Sequence, residues 1–155
     1  MDKYVICSGG MDPVHKGHVD YLREASKFGK VIVLLNSDDW LMRKKNYVFM
    51  EFDERRYILD SLKYVWRVDH VNDYDGTVCA GIFSIFKELR VEPGDLFFAK
   101  GGDRGPDNTP EISICDELGI DIIWNCGGGK VQSSSELVKN VRSCYTRVGP
   151  THNAV

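Results

Sequence analysis

Cys7-Ser8-Gly9-Gly10-Met11-Asp12-Pro13-Val14-His15-Lys16-Gly17-His18 is the stretch on which the reading of this chain turns. It follows an apolar run, Tyr4-Val5-Ile6, and precedes Val19, Leu22, Ala25, Ser26 and Phe28, which recur at spacings near three and four. The run predicts a strand and the spacing predicts a helix. Two glycines, an aspartate and two histidines therefore occupy a strand-to-helix turn. In open α/β sheets that turn lies at the carboxyl end of the strands, where ligands bind. Glycine lets backbone N–H groups approach a phosphate, and the helix start offers its positive end to the same anion. His15 falls just before the helix and His18 in its first turn, so both are placed to face that anion.

Outward from this turn, strand and helix patterns alternate. Lys30 to Leu35 is a continuous apolar run, the pattern of a strand buried on both faces. Asn36-Ser37-Asp38 caps a short helix with Trp40, Leu41 and Met42, closed by Arg43-Lys44-Lys45. Asn46 to Phe52 reads as a loop. Asp53 is expected to cap the next helix, whose apolar positions are Tyr57, Ile58, Leu62 and Val65. A strand is expected over Arg67 to Val71, then a helix capped by Thr77 and running to about Arg90. Leu96 to Ala99 reads as a buried strand. A helix starting near Pro110, a strand over Ile120 to Trp124 and a helix opened by Ser133 complete the pattern. Strands alternating with helices imply a parallel sheet covered on both sides, an α/β fold. No repeat or linker interrupts it, so one domain is expected over 1–148, with a tail at 149–155.

Composition narrows the function classes. The 155 residues are 43% hydrophobic and 28% charged, with a formal net charge of −3. That balance predicts a globular chain and argues against a general nucleic-acid binder. No apolar run reaches membrane-spanning length, and Met1-Asp2-Lys3 opens no signal-peptide pattern. The five cysteines are scattered without a C-x-x-C pair, which predicts reduced thiols and a cytoplasmic setting.

Gly10-Met11-Asp12-Pro13-Val14-His15-Lys16-Gly17-His18 resembles the G-x-F-D-x-x-H-x-G-H signature of the cytidylyltransferase-like nucleotidyltransferases. The likeness runs over roughly residues 3–142, and Met11 stands where phenylalanine is common. The resemblance implies a Rossmann-like, doubly wound sheet of five parallel strands in the order 3-2-1-4-5. It implies that Ser8, Gly9, Gly10, Met11, Asp12, His15 and His18 line a nucleoside triphosphate site. In it the two histidines bind phosphates and stabilise the transition state at the α-phosphate, and Asp12 is a candidate ligand for a magnesium ion. Lys44 and Arg55 match a lysine and an arginine of the family that bind phosphate. Lys100-Gly101-Gly102-Asp103 is similar to the loop after the fourth strand in ADP-heptose synthase adenylyltransferase domains and, more loosely, in glycerol-3-phosphate cytidylyltransferases, where it lies near the nucleotide, so the resemblance implies that these four residues bind nucleotide. Ser133-Ser134-Ser135 resembles the family's final serine/threonine run, where hydroxyls and helix N–H groups suit phosphate.

The expected reaction is transfer of a nucleoside monophosphate from ATP or CTP to a sugar or polyol phosphate, with release of pyrophosphate. Gly128 occupies the position where glycerol-phosphate cytidylyltransferases carry an arginine, with Lys130 nearby as a substitute. This leans towards adenylyl transfer to a heptose 1-phosphate type of acceptor. Mononucleotide adenylyltransfer to nicotinamide or flavin mononucleotide, and a catalytically silent nucleotide-binding regulator, are the alternatives. The partners implied are a nucleoside triphosphate and a small phosphorylated acceptor, with a homodimer common in similar proteins. Trp40, Trp66 and Trp124 read as packing residues.

Overall fold

A computed structural model describes residues 2–102, 105–128 and 133–148, with side chains to residue 141. The elements follow in the order β1 (Tyr4–Gly9), α1 (Lys16–Ala25), β2 (Lys30–Leu35), α2 (Asp38–Lys45), α3 (Phe52–Asp60) and β3 (Val65–His70). Then come α4 (Cys79–Leu89), β4 (Leu96–Gly101), a 3-10 turn (Pro106–Asn108), α5 (Ile112–Leu118), β5 (Asp121–Cys126) and α6 (Ser134–Val148). The five strands pair in parallel in the order β3-β2-β1-β4-β5, as the resemblance implied. β1 lies between β2 and β4, so the chain reverses its winding direction there and opens a crevice at the carboxyl ends of β1 and β4.

Two-residue alternation divides the strands between two cores. Val5, Cys7, Val31, Val33 and Leu35 face one side and pack with Tyr21, Leu22 and Ala25 of α1 and Leu59 of α3. Ile6, Ile32, Leu34, Leu96 and Phe98 face the other and pack with Ile82 and Ile85 of α4 and Cys115 of α5. Both faces of β1 and β2 are therefore buried, which explains why these strands read as unbroken apolar runs.

Several boundaries depart from the sequence pattern. Glu51, not Asp53, holds the position before α3, without a side-chain cap, and Asp53 lies in the first turn. α3 ends at Asp60, so Leu62 and Val65 pack from beyond it, and Val65 already pairs with Val31 in the sheet. The buried stripe of α3 is Arg55 and Leu59, four residues apart, whereas Tyr57 is exposed. An arginine in that stripe hides it from an apolar count. Val78 holds the start of α4, while the Thr77 hydroxyl accepts from the Cys79 N–H at 3.3 Å. Pro106, not Pro110, opens a helical turn, and α5 starts at Ile112. β5 ends at Cys126, two residues later than the apolar run. The tail at 149–155 lies outside the described residues.

Gly81 shows how closely α4 packs on the sheet. A Cβ there would lie 2.8 Å from both Leu34 Cδ1 and Val71 Cγ2. Alanine gains about 1 kcal/mol of helix propensity at such a site, but overpacking a tight core costs about 1–3 kcal/mol. Gly81→Ala is expected to lower the midpoint of urea unfolding; a raised midpoint would show that α4 stands further from β2.

Candidate active site

The crevice at the carboxyl ends of β1 and β4 measures about 440 Å³. Its lining includes Ser8, Gly9, Gly10, Met11, Asp12, His15 and His18 from the turn after β1, and Lys44 from α2. Lys100, Gly101 and Gly102 from β4 and Ser133, Ser134 and Ser135 at the start of α6 complete the set expected from the sequence, with two exceptions. Asp103, like Lys130, lies outside the described residues, and Arg55 stands behind the crevice wall.

The two histidines form the cap of α1. His15 is the N-cap in extended conformation, and its Nδ1 accepts from the Gly17 N–H at 3.0 Å. His18 Nδ1 accepts from the His15 N–H at 3.1 Å. The arrangement is a capping box made by imidazoles, which satisfies two N–H groups of the helix start. With Nδ1 accepting, the hydrogen of each neutral ring resides on Nε2, leaving it as the donor nitrogen. The rings stack with centroids 3.9 Å apart and planes 24° from parallel. Capping thus fixes both tautomer and orientation.

A second helix start joins the first. Ser134 Oγ donates to the Pro13 carbonyl at 2.6 Å, which fastens the first turn of α6 to the turn after β1. Ser133 Oγ accepts from the Glu136 N–H at 3.0 Å. The 10-residue α1 and the 15-residue α6 therefore both begin at the same crevice. Their unpaired N–H groups and dipoles favour negative charge there.

Arg55 corrects the expectation of a phosphate ligand. It is fully buried. Nε donates to the Met50 carbonyl at 2.9 Å, and Nη1 donates to the carbonyls of Gly10 at 2.7 Å and Asn36 at 2.8 Å. Nη2 contacts the Asp38 carboxylate at 2.6 Å. The guanidinium therefore joins the turn after β1, the end of β2, the start of α2 and the loop before α3. It shapes the crevice from behind.

Asp12 is similarly committed. It is almost wholly buried, and its carboxylate accepts from the N–H groups of Phe49, at 2.7 Å, and Met50. Its carbonyl accepts from Lys45 Nζ at 2.8 Å. Both carboxylate oxygens hold the loop over Asn46 to Glu51, and no group of three His, Cys, Asp or Glu side chains suited to a metal occurs among the described residues.

Other residues at the site were not legible as such. Asp73 accepts from Asn36 Nδ2 at 3.0 Å, from the Ser37 N–H at 2.8 Å and from Ser37 Oγ at 2.7 Å, which sets the start of α2. α2 then presents Trp40, Leu41 and Lys44 to the crevice, with Lys44 Nζ 4.6 Å from the Trp40 ring centre. Trp40 is a wall of the site rather than plain packing. Gly10 makes this approach possible, because a Cβ there would lie 2.8 Å from Leu41 Cδ2. Tyr21 Oη donates to the Ala99 carbonyl at 2.6 Å and accepts from the Ser8 N–H at 3.3 Å, bridging β1 and β4 beneath the crevice. Cys126 also lines the crevice, but burial pushes its thiol up to about 11, so at neutral pH it remains protonated and is no nucleophile.

Comparison with known proteins agrees with this geometry. The pattern of the cytidylyltransferase-like family matches residues 6–149. The chain belongs to that family. It is 33% identical over 154 residues to the bifunctional protein HldE of Salmonella arizonae, covering 92% of this chain and 28% of the relative. It is 39% identical over 77 residues to the FAD synthase of Aciduliprofundum boonei, covering 48% of this chain and 52% of the relative. The chain thus matches about a quarter and about half of these relatives' lengths. The crystal structure of a lipopolysaccharide core biosynthesis protein from Thermoplasma volcanium shares the fold, with a TM-score of 0.59 and 22% identity over 80% of this chain and 94% of that one.

Arg55→Met is expected to destabilise the protein by about 3 kcal/mol or more, since three carbonyls lose their donor at about 1–3 kcal/mol each. Urea unfolding measures it. Unchanged stability with selectively weakened nucleotide binding would instead make Arg55 a ligand.

Proposed function

We propose that this chain transfers a nucleoside monophosphate from ATP or CTP to a phosphate monoester, with a sugar or polyol phosphate as acceptor and adenylyl transfer as the leading case. An acceptor phosphate oxygen forms a bond to the α-phosphorus of the triphosphate. The bond from that phosphorus to the oxygen bridging to the β-phosphate breaks, and pyrophosphate leaves with the electron pair. The observation that carries this reading is the convergence of two helix starts and a stacked, tautomer-fixed imidazole pair on one crevice.

Phosphoryl-type transfer depends on positioning and on stabilising charge over non-bridging oxygens. His15 and His18 supply two N–H donors whose orientation is fixed before substrate arrives, so little reorganisation is needed in the transition state. The Ser133-Ser134-Ser135 hydroxyls and the N–H groups of α6 hold the triphosphate tail from the other side. Lys44 adds a mobile positive charge at the α2 wall. The acceptor phosphate is itself a competent nucleophile, so no covalent intermediate is invoked. Gly101 admits close backbone approach by the nucleoside, while Gly102 lets the Gly128 carbonyl approach the end of β4.

The likeness to HldE, together with the resemblance to ADP-heptose synthase domains, supports a sugar-phosphate acceptor. Trp40, Leu41, Val78 and Pro110 make one part of the crevice apolar, and that wall supports a second reading, adenylyl transfer to flavin mononucleotide, in line with the FAD synthase relative.

Pyrophosphate release by the purified protein, supplied with each nucleoside triphosphate as its magnesium complex and each candidate acceptor, tests the reaction. Release is expected with one nucleotide and one acceptor together. His18→Ala is expected to reduce kcat by about 100-fold or more, the usual effect of removing one fixed donor to developing charge. Undiminished turnover in His18→Ala would refute the role given to the imidazoles.

A further inference from the structure

In the same crevice, Lys100 at the end of β4 faces Glu111 just before α5. Lys100 Nζ and Glu111 Oε1 are 4.0 Å apart, and the two residues are 8% and 5% exposed. Both line the crevice, beside Val78 and Pro110. The other carboxylate oxygen, Oε2, accepts from the Val78 N–H at 3.4 Å. Oε1 accepts no hydrogen bond among the described residues, and the Lys100 ammonium stands beyond hydrogen-bond distance from it. No polar side-chain atom of the described residues is both fully buried and without a partner, so Oε1 meets the crevice.

The separation matters. One oxygen atom can sit at about 2.8 Å from each of two atoms 4.0 Å apart. Such an atom must accept from an ammonium and donate to a carboxylate. A phosphate or carboxylate satisfies Lys100 but is repelled by Glu111; an ammonium has the opposite problem. A neutral hydroxyl does both, and it is small enough for a site whose residues are nine-tenths buried.

Resting on the nucleotidyltransferase reading above, we propose that Lys100 and Glu111 form a specificity pair that bridges a hydroxyl group of the acceptor, so that the acceptor is a polyhydroxylated phosphate monoester. The histidines and the start of α6 take the triphosphate. The Lys100–Glu111 pair, beside Val78, takes the acceptor's carbon chain. Because a site built to pair a hydroxyl rejects the analogue lacking it, this pair contributes selection and not merely affinity.

The test is a cycle between protein and substrate. Pyrophosphate release is measured for wild type, Glu111→Gln and Glu111→Asp with heptose 1-phosphate, glycerol 3-phosphate, flavin mononucleotide, nicotinamide mononucleotide and the hydroxyl-free propyl phosphate. For the acceptor that turns over, a deoxy analogue is included, and binding of ATP and CTP is followed separately by calorimetry. The expected result is turnover of a hydroxylated acceptor, with KM raised at least 10-fold in Glu111→Gln and less in Glu111→Asp. Nucleotide affinity should be unchanged, and removing the hydroxyl and the carboxylate together should cost no more than removing either. A purely structural role for Glu111 would not produce that non-additivity.

Equal loss for the deoxy analogue in Glu111→Gln, efficient use of propyl phosphate, or preference for nicotinamide mononucleotide through its carboxamide would overturn the proposal. Silence with every acceptor while nucleotide still binds would overturn the acceptor class alone. Failure of wild type to bind either nucleotide would overturn the transferase reading, and this proposal with it.

Discussion

The arrangement of the crevice depends on the buried guanidinium of Arg55. Four segments that are separate in sequence meet there: the carbonyl of Gly10, that of Asn36, that of Met50 and the carboxylate of Asp38. A planar group with five donors is suited to holding several acceptors at fixed angles, and its charge offsets part of the cost of their burial. Removing arginine from water is itself expensive, so the site rests on a group whose desolvation must be balanced by every one of these contacts. Asp12 works in the same region with the opposite sign, accepting the Phe49 and Met50 N–H groups. Together the two residues convert a loop rich in polar backbone into a fixed wall.

That wall gives the histidine pair its value. His15 and His18 are committed to capping α1 through Nδ1 and are stacked on each other, so their ring planes are set by the helix rather than by a ligand. Structural and chemical roles are not alternatives at these positions. The capping contact decides which nitrogen carries the hydrogen, and that decision makes each ring a donor. The same economy holds for Ser134, whose hydroxyl fastens α6 to Pro13 and thereby places the helix start at the crevice.

The crevice is mixed in chemistry. Around α1 and α6, helix starts, glycines and hydroxyls favour phosphate. Trp40, Leu41, Val78 and Pro110 add apolar surface to the same crevice, and Glu111 meets Lys100 there. Tyr21 holds β1 to β4.

The sequence by itself determined the alternation of strands and helices, the burial of β1 and β2 on both faces, the turn carrying His15 and His18 and the family. These follow from local chemistry: periodicity, glycine, and a motif within twelve consecutive residues. Only the tertiary structure decided that Arg55 is internal, that Asp12 is spent on backbone N–H groups, that Trp40 borders the site and that Glu111 meets Lys100. Each of these depends on partners far away in the chain, as Arg55 on Gly10 and Asp12 on Met50 show. A charged residue in a sequence carries no mark of whether its counterpart will be a ligand or a buried carbonyl, because that is settled by packing between elements and not by the residues beside it.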